Sequence, residues 1–348
     1  MEETIFLDRN EFNFEPSPEV IDAIKNFDIR KLCFYTRIYD EGKKSIFSVF
    51  LSQLYNIDES QVLLGYGGED ILKQAVHFFL TEEDGNKKIM IPQYSWWYYK
   101  SIADEVNGKT IEYPLYESGN EFKYNLEELK EILKKEEPKI LLLASPNNPT
   151  GNAITPNELN SLLSDISPNI TVIIDEAYAS YVSEDTTYIK ELVDNFPNLI
   201  ISRTLSKFYG LPGLRMGFGF ISKGMEKFIR YSNKYLGYNR ISEDIAIAAL
   251  KSDNYYRGVA TAINKDRKLY EEEIGRLPGF TVYESVANFI LIKYPIELKD
   301  QLKKAFAEKG YLIKFMNEPN INTHLRITLG RPEQNKVVRD TIKNIAQK

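Results

Sequence analysis

Short apolar segments alternate with amphipathic segments through the middle of the chain. The apolar segments are bounded by turn residues or helix starts, and they read QVLLG, KKIMIP, KTIEYPL, KILLLAS, ITVIID, LIISRT and MGFGFI. Apolar runs of this length, separated by helix-period segments, are typical of parallel strands joined by crossover helices. The last two runs are too close together for a crossover helix, so one strand should run antiparallel. The pattern predicts a three-layer α/β domain with a seven-stranded, mostly parallel, mixed sheet.

Two of the intervening segments carry clear helix signals. In GGEDILKQAVHFFL one helical face collects the apolar residues Ile71, Leu72, Ala75, Val76 and Phe79. The segment TPNELNSLL begins with a capping box, in which Thr155 is the N-cap, Pro156 takes the first helical position and Glu158 reaches back to the cap. Both segments therefore predict helices that cover the sheet.

The pattern changes after about residue 250. A long helical segment, YYRGVATAINKDRKLYEEEIGRL, is followed by strand candidates in ANFILIKY and THLRITLG, with the helix IELKDQLKKAFAEKG between them. This order predicts a smaller α+β domain. We therefore expect an N-terminal segment, 1–35, that joins the small domain, a large domain, 36–250, and the small C-terminal domain, 251–348.

Composition and charge exclude several classes of function. The 348 residues are 43% hydrophobic and carry a formal net charge of -6, which offers no electrostatic footprint for nucleic acid. The single cysteine, Cys33, excludes an intrachain disulfide, and with two histidines the chain cannot supply a Cys/His zinc site, although a carboxylate site stays open. We see neither a signal-peptide pattern nor an apolar run of membrane length. We therefore expect a soluble, cytoplasmic protein without a metal or a membrane partner.

Polar residues that are unusual at strand ends follow four of the predicted strands. YGGED follows QVLLG, PNNPTG follows KILLLAS, DEAY follows ITVII, and RTLSK follows LIIS, with Arg215 eight residues beyond Lys207. In open α/β sheets, ligands bind at the carboxyl ends of the strands. The glycine turn in YGGED opens a helix whose free N–H groups would bind an anion. Together these strand ends predict a ligand site.

Each of these features also has an ordinary structural explanation. A lysine after a strand is most often a solvated surface residue, and an Asp-Glu pair is usually a helix start. PNNPTG would be an ordinary turn, and GYGGED fits neither the dinucleotide nor the nucleotide-loop spacing. The order of the four features along the chain is what favours a functional site.

With these motifs the sequence resembles the fold-type I pyridoxal-phosphate enzymes, and among them the class I/II aminotransferases related to histidinol-phosphate aminotransferase. The resemblance runs through RNEFNFEPSPEV, YGGED, SPNNPTG, DEAYASY, RTLSKFYGLPGLRMGFG, ANFILIK and LRITLGRPEQN, and so spans nearly the whole chain. It implies pyridoxal 5'-phosphate as the cofactor and transamination of small molecules as the reaction.

The resemblance also implies roles around the cofactor ring. Lys207 would form a Schiff base with the cofactor aldehyde and move the proton at the substrate Cα, and Asp175 would keep the pyridine nitrogen protonated. Tyr178 and Asn148 would hydrogen-bond the phenolic oxygen of the ring. Tyr94 would stack on the ring face, although its aromatic neighbours in PQYSWWYY leave a core or interface role open for it.

The cofactor phosphate would be held by several donors. The resemblance implies the backbone of Gly67, Gly68 and Glu69, the hydroxyls of Thr204 and Ser206, and the guanidinium of Arg215. Tyr39 matches a family tyrosine that reaches the phosphate in the partner subunit, so a homodimer is expected. Taken alone, Tyr39 is equally compatible with local packing at a helix start.

The expected substrate end of the site is less typical of the family. Arg326 in HLRITLG matches the arginine that binds the substrate anion, and Asn148 would also face the substrate. Where the family signature continues after Asn-Glu as Asn-Pro-Tyr-Gly, this chain reads FNFE, so Phe14 lacks the tyrosine hydroxyl, and Lys314 stands in place of an arginine. We expect glutamate as the amino donor and a phosphorylated amino or keto compound at least as readily as histidinol phosphate.

Other functions were weighed against transamination. A decarboxylase of the phosphoserine or phosphothreonine type shares the fold and cofactor, and KFYGLPGLR resembles it too, but LRITLGRPEQN resembles the transaminases more closely. A non-catalytic relative would have lost Lys207 or Asp175, and neither is lost. A nicotinamide-dependent dehydrogenase would need a glycine spacing that this chain lacks.

Overall fold

The computed structural model describes residues 4–81, 86–233 and 237–347. In these ranges the chain forms fourteen strands: β1 (Ile5–Leu7), β2 (Val62–Gly65), β3 (Lys88–Pro92), β4 (Lys109–Tyr113), β5 (Leu115–Ser118), β6 (Glu121–Tyr124), β7 (Ile140–Ala144), β8 (Thr171–Asp175), β9 (Leu199–Thr204), β10 (Gly217–Ile221), β11 (Thr281–Val282), β12 (Phe289–Lys293), β13 (Tyr311–Phe315) and β14 (His324–Thr328). The same ranges contain twelve α-helices: α1 (Pro18–Lys25), α2 (Ile46–Tyr55), α3 (Gly68–Thr81), α4 (Tyr98–Asp104), α5 (Leu126–Glu136), α6 (Pro156–Ser164), α7 (Thr187–Asn195), α8 (Glu226–Ser232), α9 (Arg240–Lys251), α10 (Asp253–Glu273), α11 (Lys299–Glu308) and α12 (Pro332–Ala346).

A seven-stranded sheet forms the centre of the larger part of the molecule. Its strand order is β2-β10-β9-β8-β7-β3-β4. Strand β10 runs antiparallel to both of its neighbours, and the other pairs are parallel. All residues of β7, β8 and β10 are buried, as expected for strands that are covered on both faces. The predicted fold class, including its antiparallel strand, is confirmed.

Helices cover both faces of this sheet. Along β7, Leu141 and Leu143 pack into one core with residues of α2 and α6, whereas Ile140 and Leu142 pack into the opposite core with residues of α3 and α4. This alternation follows from the two-residue period of a strand. The capping box at Thr155 forms as predicted, and such a cap stabilises a helix by about 1 kcal/mol.

A second sheet of five strands has the order β1-β13-β14-β12-β11. The pairing of β1 with β13 is parallel, and the other pairs are antiparallel. Helices α10, α11 and α12 pack on it around a core that includes Ile290, Leu325 and Val338. Strands β12 and β14 and helices α10 and α11 were predicted from the sequence, whereas β1 and β13 were not.

The N-terminal segment contacts both parts of the molecule. Its strand β1 joins the second sheet, and its helix α1 packs against α9. Val20 of α1 is buried in the core that lies on one face of the seven-stranded sheet. The domain boundaries at residues 36 and 251 stay a prediction.

In the three described ranges, no helix combines the length and the apolar character needed to cross a bilayer. No group of three or more His, Cys, Asp or Glu side chains from these ranges comes together as a metal site requires.

Candidate active site

Strands β7, β8 and β9 lie side by side and end at the same edge of the large sheet. Ala144 pairs with Asp175 across the first pair, and Asp175 pairs with Ser202 across the second. The loops that follow these strands carry Asn148 and Lys207. Parallel strands thus deliver the predicted residues to one edge of the sheet, where open α/β sheets bind ligands.

Lys207 follows β9 and is partly buried at this edge. Its Nζ donates a hydrogen bond to the backbone oxygen of Arg9 at 3.0 Å and lies 5.9 Å from the centre of the Tyr178 ring. Burial lowers the pKa of the Lys207 ammonium to about 8, and the positive charge of Arg326 acts in the same direction. A lysine with this pKa has a neutral fraction at pH 7 that can act as a nucleophile.

Asp175, the last residue of β8, is held by two donors. The Ala177 N–H donates to Oδ1 at 3.0 Å, and the Tyr99 hydroxyl donates to Oδ2 at 2.7 Å. Burial raises the pKa of the Asp175 carboxyl, whereas the two hydrogen bonds act in the opposite direction. Tyr99 was missed by the sequence analysis, because it lies among the aromatic residues of PQYSWWYY and nothing in that pattern separates it from its neighbours.

Tyr178 is buried beside Lys207, and its hydroxyl accepts a hydrogen bond from Asn10 Nδ2 at 2.8 Å. Burial raises the pKa of the Tyr178 phenol to about 12. Asn10 is itself anchored to the second sheet, because its backbone N–H donates to Thr328 Oγ1 at 2.9 Å and its backbone oxygen accepts from Asn288 Nδ2 at 3.1 Å. Asn10 was not predicted as a site residue, although it lies in the family-like stretch RNEFNFEPSPEV.

Arg326 connects the second sheet to the strand-end loops. Its guanidinium donates to Asn148 Oδ1 and to the backbone oxygen of Asp8, and its Nε has no partner among the described residues. The guanidinium also lies 5.7 Å from the centre of the Phe289 ring. Lys314 pairs with Arg326 across β13 and β14 and is exposed. The structure therefore brings together three predicted substrate residues, Arg326, Asn148 and Lys314.

The start of α3 and the loop before β10 form a compact donor cluster. Arg215 Nη2 donates to Glu69 Oε1 at 2.7 Å, and Thr204 Oγ1 is 2.9 Å from Ser206 Oγ. Gly67 has a φ of +86°, and a Cβ at this position would lie 2.6 Å from Arg215 Nη2. Gly68 lies beside β9 at an ordinary contact distance, since a Cβ at this position would lie 3.4 Å from Ser202 Oγ. A side chain at Gly67 would therefore displace the guanidinium.

The remaining predicted residues lie in separate places. Tyr94 is partly buried, has a φ of +52° and packs 6.2 Å from the Phe122 ring. Phe14 packs against the core of the second sheet. Tyr39 lies in a short 3-10 helix, and among the described residues its hydroxyl is bonded to Arg37 at 3.3 Å. Among the described residues, no contact joins Tyr39 to the donor cluster.

The sheet edge combines a partly neutral amine, a buried carboxylate on the neighbouring strand and a cluster of anion donors, and this chemistry is that of an enzyme that works through pyridoxal phosphate. A family model described as "Aminotransferase class I and II" matches residues 2–342. The chain belongs to the class I and II aminotransferases, and pyridoxal phosphate is its cofactor.

Similar proteins agree with this assignment. A curated relative from Mannheimia succiniciproducens, histidinol-phosphate aminotransferase 1, is 30% identical over 96% of this chain and 87% of its own length. The solved histidinol-phosphate aminotransferase of Clostridium acetobutylicum superimposes with a TM-score of 0.85 at 21% identity, covering 99% of each chain. The enzyme from Sinorhizobium meliloti, solved in complex with pyridoxal-5'-phosphate, gives a TM-score of 0.84 at 21% identity and covers 99% of this chain and 91% of its own.

The residues present fit the cofactor. The donor cluster around Arg215 offers a guanidinium, two hydroxyls and the start of a fourteen-residue helix, which together suit a phosphate. Asp175 is buried but keeps two hydrogen-bond donors, so it can hold a charge opposite a protonated ring nitrogen. Lys207 lies at the same sheet edge with a lowered pKa.

Proposed function

We propose that this aminotransferase moves an amino group between glutamate and a small phosphorylated keto compound. The observation that carries the proposal is a pair of cations on one face of the second sheet. Lys314 lies directly opposite Arg326, and paired residues of antiparallel strands point to the same face. Arg326 is buried and Lys314 is exposed, so the two charges lie at different depths. Such a pair suits a carboxylate or phosphate attached to the reacting carbon skeleton.

Arg326 is the group best suited to bind the substrate anion. Its Nε is buried and unpartnered among the described residues, and an unsatisfied buried donor costs free energy that a ligand oxygen can recover. Its two terminal nitrogens already meet Asn148 and the Asp8 backbone oxygen, which fix the plane of the guanidinium. We assign it to the carboxylate of glutamate in one half-reaction and to the anionic group of the second substrate in the other.

Pyridoxal phosphate, when bound, supplies an electron sink for the charge that develops at the substrate Cα. Lys207 would hold the cofactor covalently and then carry the proton at that carbon. With a pKa of about 8, about one Lys207 amine in ten is neutral at pH 7, compared with fewer than about one in a thousand for a free lysine. Asp175 would face the ring nitrogen, Tyr178 and Asn148 would face the phenolic oxygen, and Tyr94 would lie on the ring.

The donor cluster at the start of α3 would hold the cofactor phosphate. Arg215 is now paired with the Glu69 carboxylate, which a phosphate would replace as the partner of the guanidinium. Thr204 and Ser206 would add hydroxyl donors, and the N–H groups of Gly68 and Glu69 lie at the start of α3, where a helix offers unpaired donors. The predicted Gly67 N–H is not free in this structure, because it donates to the Gly65 backbone oxygen at 2.8 Å. These assignments are supported by the closeness of the glycine turn to the guanidinium, since a Cβ at Gly67 would lie 2.6 Å from Arg215 Nη2.

A substrate panel tests the proposed function. We expect glutamate to release 2-oxoglutarate from the loaded enzyme, and a phosphorylated ketone to complete the turnover. Because two cations face the substrate end, kcat/KM for a phosphorylated ketone should exceed that for its unphosphorylated analogue by about a hundredfold. The acceptors to compare are the keto counterpart of histidinol phosphate and smaller ketone phosphates.

The matched variants Lys314→Met and Lys304→Met sharpen this test. Lys304 is an exposed lysine of α11 and serves as the control. We expect Lys314→Met to reduce the preference for the phosphate by about tenfold and Lys304→Met to leave it unchanged. If glutamate releases no 2-oxoglutarate while phosphoserine or phosphothreonine releases carbon dioxide, the enzyme is a decarboxylase and the proposed function is wrong.

The enzyme would act as a homodimer in which Tyr39 reaches the cofactor phosphate of the partner. The segment from 29 to 35 exposes Ile29, Leu32, Phe34 and Tyr35, and Trp97 is exposed as well. Large apolar side chains in such numbers on one short segment are suited to an interface. Tyr39 itself is exposed in the single chain, and among the described residues its hydroxyl bonds only to Arg37, which leaves it available to a second copy.

Tyr39→Phe is expected to weaken cofactor retention by about tenfold, because one hydrogen bond to a charged phosphate is lost. The dissociation constant of the cofactor from the dimer is measured by gel filtration and absorbance. Tyr35→Phe, in the exposed segment from 29 to 35 that precedes Tyr39, is the control and should bind the cofactor normally.

Mixing two impaired variants tests whether Tyr39 acts across the dimer. A hybrid of Tyr39→Ala with Lys207→Arg contains one site with an intact Lys207 and, from the other chain, an intact Tyr39. Recovery of activity on mixing is expected. Failure of the hybrid to recover, or a fully active monomer at assay concentrations, would contradict the shared site.

The cytoplasm is the location that we infer for the enzyme. Cys33, the one cysteine of the chain, is free and exposed, and unpaired exposed thiols are typical of reducing compartments. Cell fractionation with an antibody to the chain checks this location.

A further inference from the structure

Tyr99 projects from α4 into the apolar layer beneath the strand ends. Its ring is 3% exposed and packs in the core shared by α3 and α4, with the Trp96 ring at 5.8 Å. Its hydroxyl is the one polar atom of this side chain, and it ends 2.7 Å from Asp175 Oδ2. Core packing therefore holds the Tyr99 ring in place, and the hydrogen bond to Asp175 holds its hydroxyl.

The Asp175 carboxylate has a defined set of neighbours. Its Oδ1 accepts from the Ala177 N–H, and its Oδ2 accepts from Tyr99. Burial is the largest influence on the pKa of Asp175 and raises it, followed by the Tyr99 hydrogen bond, which lowers it. The charges that face it are Glu176, which raises the pKa, and Lys207, which lowers it. Tyr99 is therefore the side chain that does most to keep Asp175 ionised.

Tyr99 is also restricted to the role of a donor. Burial, and then the charge of Asp175, raise the pKa of the Tyr99 phenol well above its ordinary value, so it keeps its proton across the working pH range. A neutral phenol next to an ionised carboxylate can only donate. The Tyr99 hydroxyl thus stays a hydrogen-bond donor to Asp175 and does not ionise to a phenolate, which would repel the carboxylate.

We propose that Tyr99 is a positioning residue, whose hydroxyl holds the Asp175 carboxylate in the orientation in which it meets the ring nitrogen of the cofactor. The inference rests on the role proposed above for Asp175. Tyr99 does not touch the reacting atoms, and it acts on the reaction through the carboxylate alone.

The test compares Tyr99→Phe with Tyr113→Phe. Tyr113 ends strand β4 and is about as deeply buried as Tyr99. Its hydroxyl donates to the Leu142 backbone oxygen at 3.1 Å, so Tyr113→Phe removes a buried hydrogen bond without affecting a carboxylate. The readouts are the dissociation constant of pyridoxal phosphate from the apo-protein, the separate values of kcat and KM, and the urea midpoint of the apo-protein.

For Tyr99→Phe we expect the cofactor dissociation constant to rise by about tenfold and kcat to fall by a similar factor, with KM for glutamate unchanged. Tyr113→Phe should stay within about twofold of the parent protein in both values. Both variants should lower the urea midpoint of the apo-protein, since each loses one buried hydrogen bond. Equal effects of the two variants on cofactor binding would show that Tyr99 is merely structural and would overturn the inference.

A double-mutant cycle separates this inference from the function on which it rests. In the Asp175→Asn background, Tyr99→Phe should change cofactor binding by less than about twofold, because the carboxylate through which it acts is gone. A full tenfold effect in that background would also overturn the inference. If Asp175→Asn alone binds the cofactor and turns over normally, the proposed role of Asp175 fails. If Asp175→Asn is impaired while Tyr99→Phe is normal, only the role of Tyr99 fails.

Discussion

Replacing Lys207 by arginine is expected to abolish turnover, with kcat falling by at least about a thousandfold. Arginine keeps the positive charge and most of the length of the side chain, but its guanidinium is always protonated. It can therefore neither hold the cofactor aldehyde nor accept the proton at the substrate Cα. In the parent protein, burial and the nearby Arg326 lower the pKa of Lys207 to about 8, which keeps part of the amine neutral. Steady-state rates with glutamate and a ketone phosphate measure the effect.

Lys44→Arg is the matched control for this substitution. Lys44 is also largely buried, and burial lowers its pKa, but its ammonium is paired with Glu59 at 3.2 Å. This variant should keep normal turnover. A Lys207→Arg protein that retains more than a tenth of the parent rate would contradict the assignment of Lys207.

Replacing Asp175 by asparagine is expected to lower kcat by about three orders of magnitude. An amide has nearly the same shape as the carboxylate, but it has no charge with which to hold a proton on the ring nitrogen. Cofactor binding should remain measurable, because the phosphate donors and Lys207 are unchanged. Single-turnover rates of the loaded variant measure the loss.

The control for Asp175→Asn is Asp266→Asn, a second buried aspartate. Asp266 lies on α10 and pairs with Arg339 at 3.0 Å. Its replacement should destabilise the protein, since the buried Arg339 loses one of its two carboxylate partners and keeps only Glu273 at 3.3 Å, but it should leave kcat unchanged. Near-normal turnover by Asp175→Asn would count decisively against the role assigned to the strand-end aspartate.

The large sheet was predictable because its strands carry their own signal. β7 and β8 are buried on both faces, so ILLLA and TVIID are continuous apolar runs that stand out from the amphipathic helices beside them. The short connection between LIISRT and MGFGFI predicted an antiparallel strand. That strand is β10, which pairs Phe218 with Arg203 of β9. These signals are local, and they do not depend on the rest of the fold.

The second sheet was harder to predict, because some of its strands lack a continuous apolar run. β1 has three residues, and β13 alternates buried Ile313 with exposed Leu312 and Lys314, so neither has a continuous apolar run. Their pairing joins Phe6 with Leu312 across almost the whole length of the chain. The short hairpin of β5 and β6 was missed as well, since only Leu115 and Phe122 of its residues are buried. Such strands are stabilised by tertiary contacts that a single sequence does not display.

The site residues likewise fall into a group with a local sequence signal and a group without one. Asp175 ends a strong strand, and Asn148 and Lys207 lie in the loops after two others, so their order along the chain predicted that they lie at one edge of the sheet. Tyr99 and Asn10 hold the side chains of Asp175 and Tyr178 from other parts of the fold, 76 and 168 positions away in the sequence. Supporting contacts over such distances leave no periodic pattern, and only the folded chain makes them visible.

The most direct test of the account is to locate the lysine that carries the cofactor. Borohydride reduction of the loaded enzyme makes the link permanent, and trypsin then no longer cleaves at the modified lysine. We predict one cofactor-bearing peptide, Thr204–Arg215, with Lys207 uncleaved within it. Recovery of the cofactor on any other lysine, or Lys207 cleaved and unmodified in fully reduced enzyme, would contradict the account.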